Sequence, residues 1–168
     1  MADLSDLNRR DFIKVGSAGI AGLIVAKALP RSAAAATTSA PVYPVMDIGP
    51  LSALAPGGAI QFNYPDEESP AILIRLTEPG LNGAGPKQSL VAFSQLCTHK
   101  GCPLDYNAER KLLICPCHWS TFDPAKAGAI VIGQASQPLP QVTLKIEDDL
   151  IQAIGVDGLI YGRHTNIV

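Results

Sequence analysis

The side chains between positions 97 and 118 constrain this chain more than any other feature of it. All four cysteines, Cys97, Cys102, Cys115 and Cys117, fall there, together with His99 and His118, two of the three histidines. Cysteines scattered along a chain are core thiols or a disulfide framework. Cysteines and histidines gathered in one window offer sulfur and nitrogen donors to a metal. By spacing alone, a Cys2His2 set drawn from these six residues could also be a structural zinc site. Such a site would leave two cysteines without a role.

The rest of the sequence sets the frame for that window. The chain has 168 residues, enough for one domain with its own core and a leader or tail. Hydrophobic residues make up 47% and charged residues 17%, which is a globular balance and excludes a disordered chain. The net charge of −2, without a basic stripe, gives nucleic acid no electrostatic footing. Fifteen glycines and fourteen prolines, spread along the chain, favour short strands and many turns over long helices.

The N-terminus has the layout of a cleavable export signal: Asn8-Arg9-Arg10-Asp11-Phe12-Ile13-Lys14, the apolar run Val15–Ala26, then Leu29-Pro30-Arg31-Ser32 and the small residues Ala33–Ala36. The paired arginines resemble the twin-arginine signal, read by a translocase that exports folded proteins. The apolar run between Lys14 and Lys27 is shorter than the ~20 residues a spanning helix needs, so cleavage is preferred to retention as an anchor. The expected cut lies among Ala34–Ala36, giving a leader of residues 1–36 and a mature domain of residues 37–168. That mature chain carries eight basic and twelve acidic residues, a net charge of −4.

After the leader no apolar period of 3.6 residues persists, and the pattern is strand, turn, strand. Strands are expected at Ala71–Leu76 and Ser89–Phe93, separated by a Gly- and Pro-rich loop, Glu78–Lys87. Val142, Leu144 and Ile146 alternate with Thr143 and Lys145. Glu147-Asp148-Asp149 then turns the chain into Ile151 and Ala153, which is a hairpin signature. A further turn is expected at Gly155-Val156-Asp157-Gly158, before Leu159-Ile160-Tyr161. The expected fold is all-β, an antiparallel sandwich or barrel with a cluster-bearing lobe inserted at about residues 90–135. Within that lobe Gly101, Pro103 and Pro116 are suited to holding backbone amides open towards a buried anion.

The two boxes are Cys97-Thr98-His99-Lys100-Gly101-Cys102-Pro103 and Cys115-Pro116-Cys117-His118-Trp119-Ser120. Together they resemble the signature of Rieske 2Fe–2S proteins at every required position. That resemblance implies one 2Fe–2S cluster, with Cys97 and Cys115 on one iron as thiolates and His99 and His118 on the other as neutral imidazoles. It also implies a Cys102–Cys117 disulfide joining the two loops, as in respiratory-type members, and such a bond suits an extracytoplasmic location. Two imidazoles in place of two thiolates lower the cluster's negative charge and raise its potential, towards roughly −150 to +300 mV. They also allow reduction to be coupled to proton uptake. Ser120 matches the serine that hydrogen-bonds a bridging sulfide in high-potential members. Phe122 stands where those members place a tyrosine bonded to a ligand sulfur, so a lower potential is expected here. Trp119 is expected to pack beside the cluster, and His164 to lie on the surface.

Further segments resemble the Rieske small subunits of arsenite oxidases: the leader, Phe62-Asn63-Tyr64-Pro65-Asp66, His118-Trp119-Ser120-Thr121-Phe122-Asp123, Lys126-Ala127-Gly128 and the tail Val156–Arg163. This resemblance implies an electron-transfer subunit with no substrate chemistry of its own, paired in a heterodimer with a molybdopterin large subunit that oxidises arsenite. It implies a periplasmic c-type cytochrome or copper protein as acceptor. The alternative is a Rieske subunit of a quinol–cytochrome c oxidoreductase. Against it, Gly133-Gln134-Ala135-Ser136 stands where quinol-oxidising relatives carry a Gly-Pro-Ala-Pro cover loop.

Overall fold

The computed structural model describes residues 43–167, and the leader and its cleavage region lie outside them. In chain order the strands are β1 (Met46–Pro50), β2 (Ala59–Asn63), β3 (Pro70–Arg75), β4 (Leu90–Ser94) and β5 (Asp105–Asn107). They continue with β6 (Leu112–Ile114), β7 (Thr121–Asp123), β8 (Ala129–Ile132), β9 (Gln141–Glu147) and β10 (Leu150–Asp157). The helical elements among the described residues are single 3₁₀ turns of three residues. The all-β expectation holds.

Two antiparallel sheets result. The larger has the order β1-β10-β9-β4-β3-β2, and the smaller is β5-β6-β7-β8, inserted between β4 and β9. The unbroken apolar run in β3 and β4 follows from their place between two cores. Ala71, Leu73, Leu90 and Ala92 point to one side, where they pack with Leu54, Tyr64, Val142, Ile151 and Ala153. Ile72, Ile74, Val91 and Phe93 point to the other, where they meet Leu104, Leu113, Phe122 and Leu139 of the inserted lobe. A strand covered on both faces cannot alternate apolar with polar residues. The first core draws on all six strands of the larger sheet, including Met46 and Ile48 of β1 and Ile60 and Phe62 of β2. For residues of both edges to share one core, the sheet has to curl towards a barrel.

The second core carries the lobe. Phe93 is fully buried there, and a Cβ placed on Gly128 would come within 3.0 Å of both Phe93 and Leu139. Truncating such a buried aromatic typically costs about 3–5 kcal/mol. The same core holds Cys97 and Cys115, so the metal window is built on the junction between lobe and sheet.

The β9–β10 hairpin forms as expected. Glu147 pairs with Leu150 across Asp148-Asp149, and Asp148 takes a positive φ of 53°. Two expectations need correction. β10 runs on through Gly155 and Val156 to Asp157, and an irregularity between Ala153 and Gly155 absorbs the glycine that suggested a turn. The lobe also starts later than residue 90: Leu90–Ser94 is a central strand of the larger sheet, and the lobe's first loop leaves it at Gln95.

Candidate metal centre

Both boxes lie in loops that are closed by their own backbone. In the first, the Cys97 amide donates to the Cys102 carbonyl at 2.9 Å and the Gly101 amide to the Cys97 carbonyl at 2.8 Å. A bridge between Leu96 and Pro103 fastens its base. In the second, which joins β6 to β7, the Cys115 amide donates to the Ser120 carbonyl at 2.8 Å and the Trp119 amide to the Cys115 carbonyl at 3.0 Å. Each loop thus presents its cysteines and histidine from a fixed frame.

The four cysteines divide into two kinds. Cys102 and Cys117 form a disulfide between the loops, closing a span of 15 residues, while Cys97 and Cys115 are free and buried. The sulfurs of Cys102, Cys115 and Cys117 lie within 4.8 Å of one another. Two of these three are bonded to each other and cannot act as thiolate ligands, so this closeness reports the disulfide lying against Cys115. Burial pushes the Cys97 thiol up from its ordinary value, and the facing Cys115 thiol adds to that. The amides of His99 and Lys100, aimed at the Cys97 sulfur, pull the other way. A buried thiol raised in this way becomes a thiolate readily once a cation stands beside it.

The imidazoles of His99 and His118 meet edge to face, with ring centroids 4.8 Å apart. His99 Nδ1 is buried and has no hydrogen-bond partner. A buried ring nitrogen without a partner costs free energy unless something binds it, and a metal is the partner suited to a bare imidazole nitrogen. Two buried thiols and two adjacent imidazoles, held by two cross-linked loops, fit a mixed sulfur and nitrogen iron pair.

Around this set runs a frame that sequence reading does not reveal. Ser120 is fully buried, and its Oγ accepts the amides of Gln134 and Ala135, each at 3.0 Å. With both acceptances filled from the 133–138 loop, the hydroxyl proton is left to donate elsewhere. Gly133 must be glycine, since a Cβ there would lie 2.3 Å from the Ser120 Cα. From the first box, the Thr98 hydroxyl donates to the Gln137 carbonyl at 2.7 Å. The loop is therefore tied to both boxes. Phe122 is fully buried in the core that holds Cys97 and Cys115, with Tyr106 packed against it; burial pushes the Tyr106 phenol up, so it stays protonated.

The tail contributes as well. The Tyr161 ring lies over Gly101, and the Arg163 guanidinium pairs with Asp66. Asn166 Oδ1 receives the Ile160 amide at 3.0 Å, while its Nδ2 donates to the Gly158 carbonyl at 2.6 Å. His164 is exposed, as expected. Trp119 is a correction: it does not pack beside the site but stands 71% exposed, on a backbone with a positive φ of 62°.

The fold and site agree with comparison to known proteins. The family model for the Rieske [2Fe-2S] domain matches residues 46–143, so the chain belongs to the Rieske iron–sulfur family and its cofactor is a Rieske-type 2Fe–2S cluster. Among curated proteins it is 39% identical to iodate reductase subunit IdrB of Denitromonas iodatirespirans, over 95% of this chain and 86% of that one. It is 41% identical to the same subunit of Pseudomonas sp. (strain SCT), over 93% and 82%. The cytochrome bc1 complex Rieske subunit of Streptomyces lividans matches at 39%, over 40% of this chain and 41% of that one. In structure, the soluble domain of Rieske protein II from Sulfolobus acidocaldarius shares the fold, with a TM-score of 0.64 at 24% identity, over 73% of this chain and 82% of that one.

Proposed function

We propose that this chain is the electron-transfer subunit of a periplasmic oxyanion oxidoreductase, with arsenite as the substrate of the partner subunit. In this reading Cys97 and Cys115 hold one iron, and His99 and His118 hold the other. The cluster, when bound, supplies a one-electron site. The protein's own residues position and insulate it. Cys97 and Cys115 come from the dry core, His118 faces solvent, and Ser120 and the amides around Cys97 offer donors to sulfur. Oxidation of arsenite falls to a molybdopterin large subunit in the proposed heterodimer. A c-type cytochrome or copper protein takes the electrons onward. Export through the twin-arginine route, with cleavage near residue 36, delivers the folded holoprotein to the periplasm.

The observation that supports an electron-transfer subunit of this kind over a cytochrome bc1 subunit is that likeness to the iodate reductase subunits runs along more than nine-tenths of the chain, whereas likeness to the cytochrome bc1 subunit covers 40% of it. The tail that resembles arsenite oxidase small subunits is packed against the first box through Tyr161 and Gly101. The names of the same relatives favour a second reading, iodate reductase, in which electrons run from the carrier through this subunit to the large one. Purification of the tagged chain with its partner decides between them. Arsenite-dependent reduction of a dye supports the first reading. Iodate-dependent oxidation of a reduced dye, with no arsenite activity, replaces it by the second. Co-extraction with cytochrome b and quinol oxidation overturns both.

A further inference from the structure

The loop that carries the exposed His118 and the strand paired at its end put three large apolar side chains in solvent: Trp119, Val131 and Ile132, 71%, 56% and 68% exposed. Backbone pairing makes them neighbours. Thr121 pairs with Ile132, and Gly133 abuts the Ser120 backbone, so Trp119 and Ile132 extend from adjacent strand ends. Both features are built by irregular backbone. The register of β7 with β8 slips between Thr121 and Phe122, leaving Val131 as the extra residue of a bulge. Bulges of this kind re-aim side chains at sheet edges, and β8 is the edge of the lobe's sheet. Trp119 is held in the left-handed region by its amide N–H, which donates to the Cys115 carbonyl, and by the Thr121 hydroxyl, which donates to its carbonyl at 3.1 Å. A bulky residue in that region is strained. Such strain persists only where surrounding contacts enforce it.

The two segments that carry these side chains are empty of charge, and the exposed Lys100 of the first box is the charged residue next in sequence to the His99–His118 pair. Leu112–Phe122 and Ala127–Leu144 contain no Asp, Glu, Lys or Arg, in a chain that is 17% charged. Docking sites for diffusing carriers use charge to steer encounter. Cores of lasting interfaces are depleted of charge and enriched in aromatic residues, with Trp prominent among the side chains that carry the affinity.

We propose that Trp119, Val131 and Ile132 form the anchor through which this chain binds its catalytic large subunit permanently, by an uncharged apolar face of that subunit. The diffusing electron carrier docks elsewhere. This deepens the proposed function and rests on it. The anchor adjoins His118, so the contact that gives affinity also fixes the electron's path into the cluster.

The test uses the complex purified from its own host through a tag on this chain, with molybdenum per iron as the measure of the large subunit retained. Trp119→Ala and Ile132→Lys are compared with Val45→Lys, a change at another exposed apolar residue outside the patch. Each patch variant is expected to weaken large-subunit binding by about tenfold or more, while Val45→Lys leaves it unchanged. The reduced-state EPR signal and potential of each isolated variant are expected to stay at the wild-type values, which separates lost docking from a damaged cluster. Wild-type molybdenum retention in both patch variants overturns the proposal. So does an intact heterodimer that has lost only its exchange with the carrier, or a patch whose loss only abolishes self-association of the chain. A wild-type chain that retains no molybdenum subunit removes the functional reading itself, and is recognised by that control before any variant is compared.

Discussion

The Tyr161 ring lies so close over Gly101 that a Cβ on the glycine would come within 2.5 Å of its Cδ1. Sixty residues apart in the chain, the two fasten the tail onto the loop between His99 and Cys102.

Gly101→Ala is therefore expected to fail twice. The position has φ +72°, where a left-handed backbone costs an ordinary residue roughly 1–2 kcal/mol. The added methyl also collides with the ring. The double variant Gly101→Ala, Tyr161→Ala should recover the steric part and keep the backbone part. Thermal unfolding with iron content measures both. A single variant as stable as wild type contradicts the packing described.

Phe122→Tyr is expected to raise the reduction potential, because it adds a donor within the buried core that holds Cys97 and Cys115. Ser120→Ala is expected to lower it. That change also leaves the amides of Gln134 and Ala135 without their acceptor, at a cost of about 1–3 kcal/mol for each that stays buried. Redox titration followed by EPR reads both changes. An unchanged or lowered potential in Phe122→Tyr counts against a role for this position in tuning.

The disulfide closes a loop of 15 residues, for which chain entropy gives about 3 kcal/mol. The paired change Cys102→Ser, Cys117→Ser should lower the melting temperature and speed iron loss. It should leave the ligand field intact, because neither sulfur is free to bind iron. If the EPR signal vanishes while the fold persists, one of these cysteines is a ligand after all.

Acid should loosen the tail. Burial alone would raise the Asp66 carboxyl, but the Arg163 guanidinium and the Glu68 amide hold it below its ordinary value. A carboxyl lowered in the folded state adds stability that is full above its unfolded pKa of about 4, and is lost as pH falls through the lower folded value. Asp66→Asn should flatten stability against pH in that acid range while leaving the slope above about pH 5 unaltered. Denaturant midpoints from pH 2 to 6 show whether it does.

Export is tested at the arginine pair. Replacing Arg9 and Arg10 together with lysine is expected to keep the chain in the cytoplasm, and wild-type amounts in the periplasmic fraction would exclude the twin-arginine route.

Much of this was legible in the residues because it is local. Strands β3 and β4, the Asp148-Asp149 hairpin and the two metal boxes each announce themselves within a few positions. What stayed hidden is made by contacts far apart in sequence. The Gln134 and Ala135 amides reach Ser120, Thr98 reaches Gln137, and Tyr161 reaches Gly101. No periodicity encodes such meetings. Trp119 misled for a related reason: hydrophobicity suggests burial, and only the backbone conformation set by Cys115 and Thr121 turns the indole outward.

The most direct test of the account is pulsed EPR on the reduced holoprotein, read for nitrogen couplings to the cluster. Two inequivalent imidazole nitrogens are predicted, with one lost in each of the cluster-retaining variants His99→Cys and His118→Cys. A cluster with no nitrogen coupling, or a colourless protein holding zinc, would contradict it.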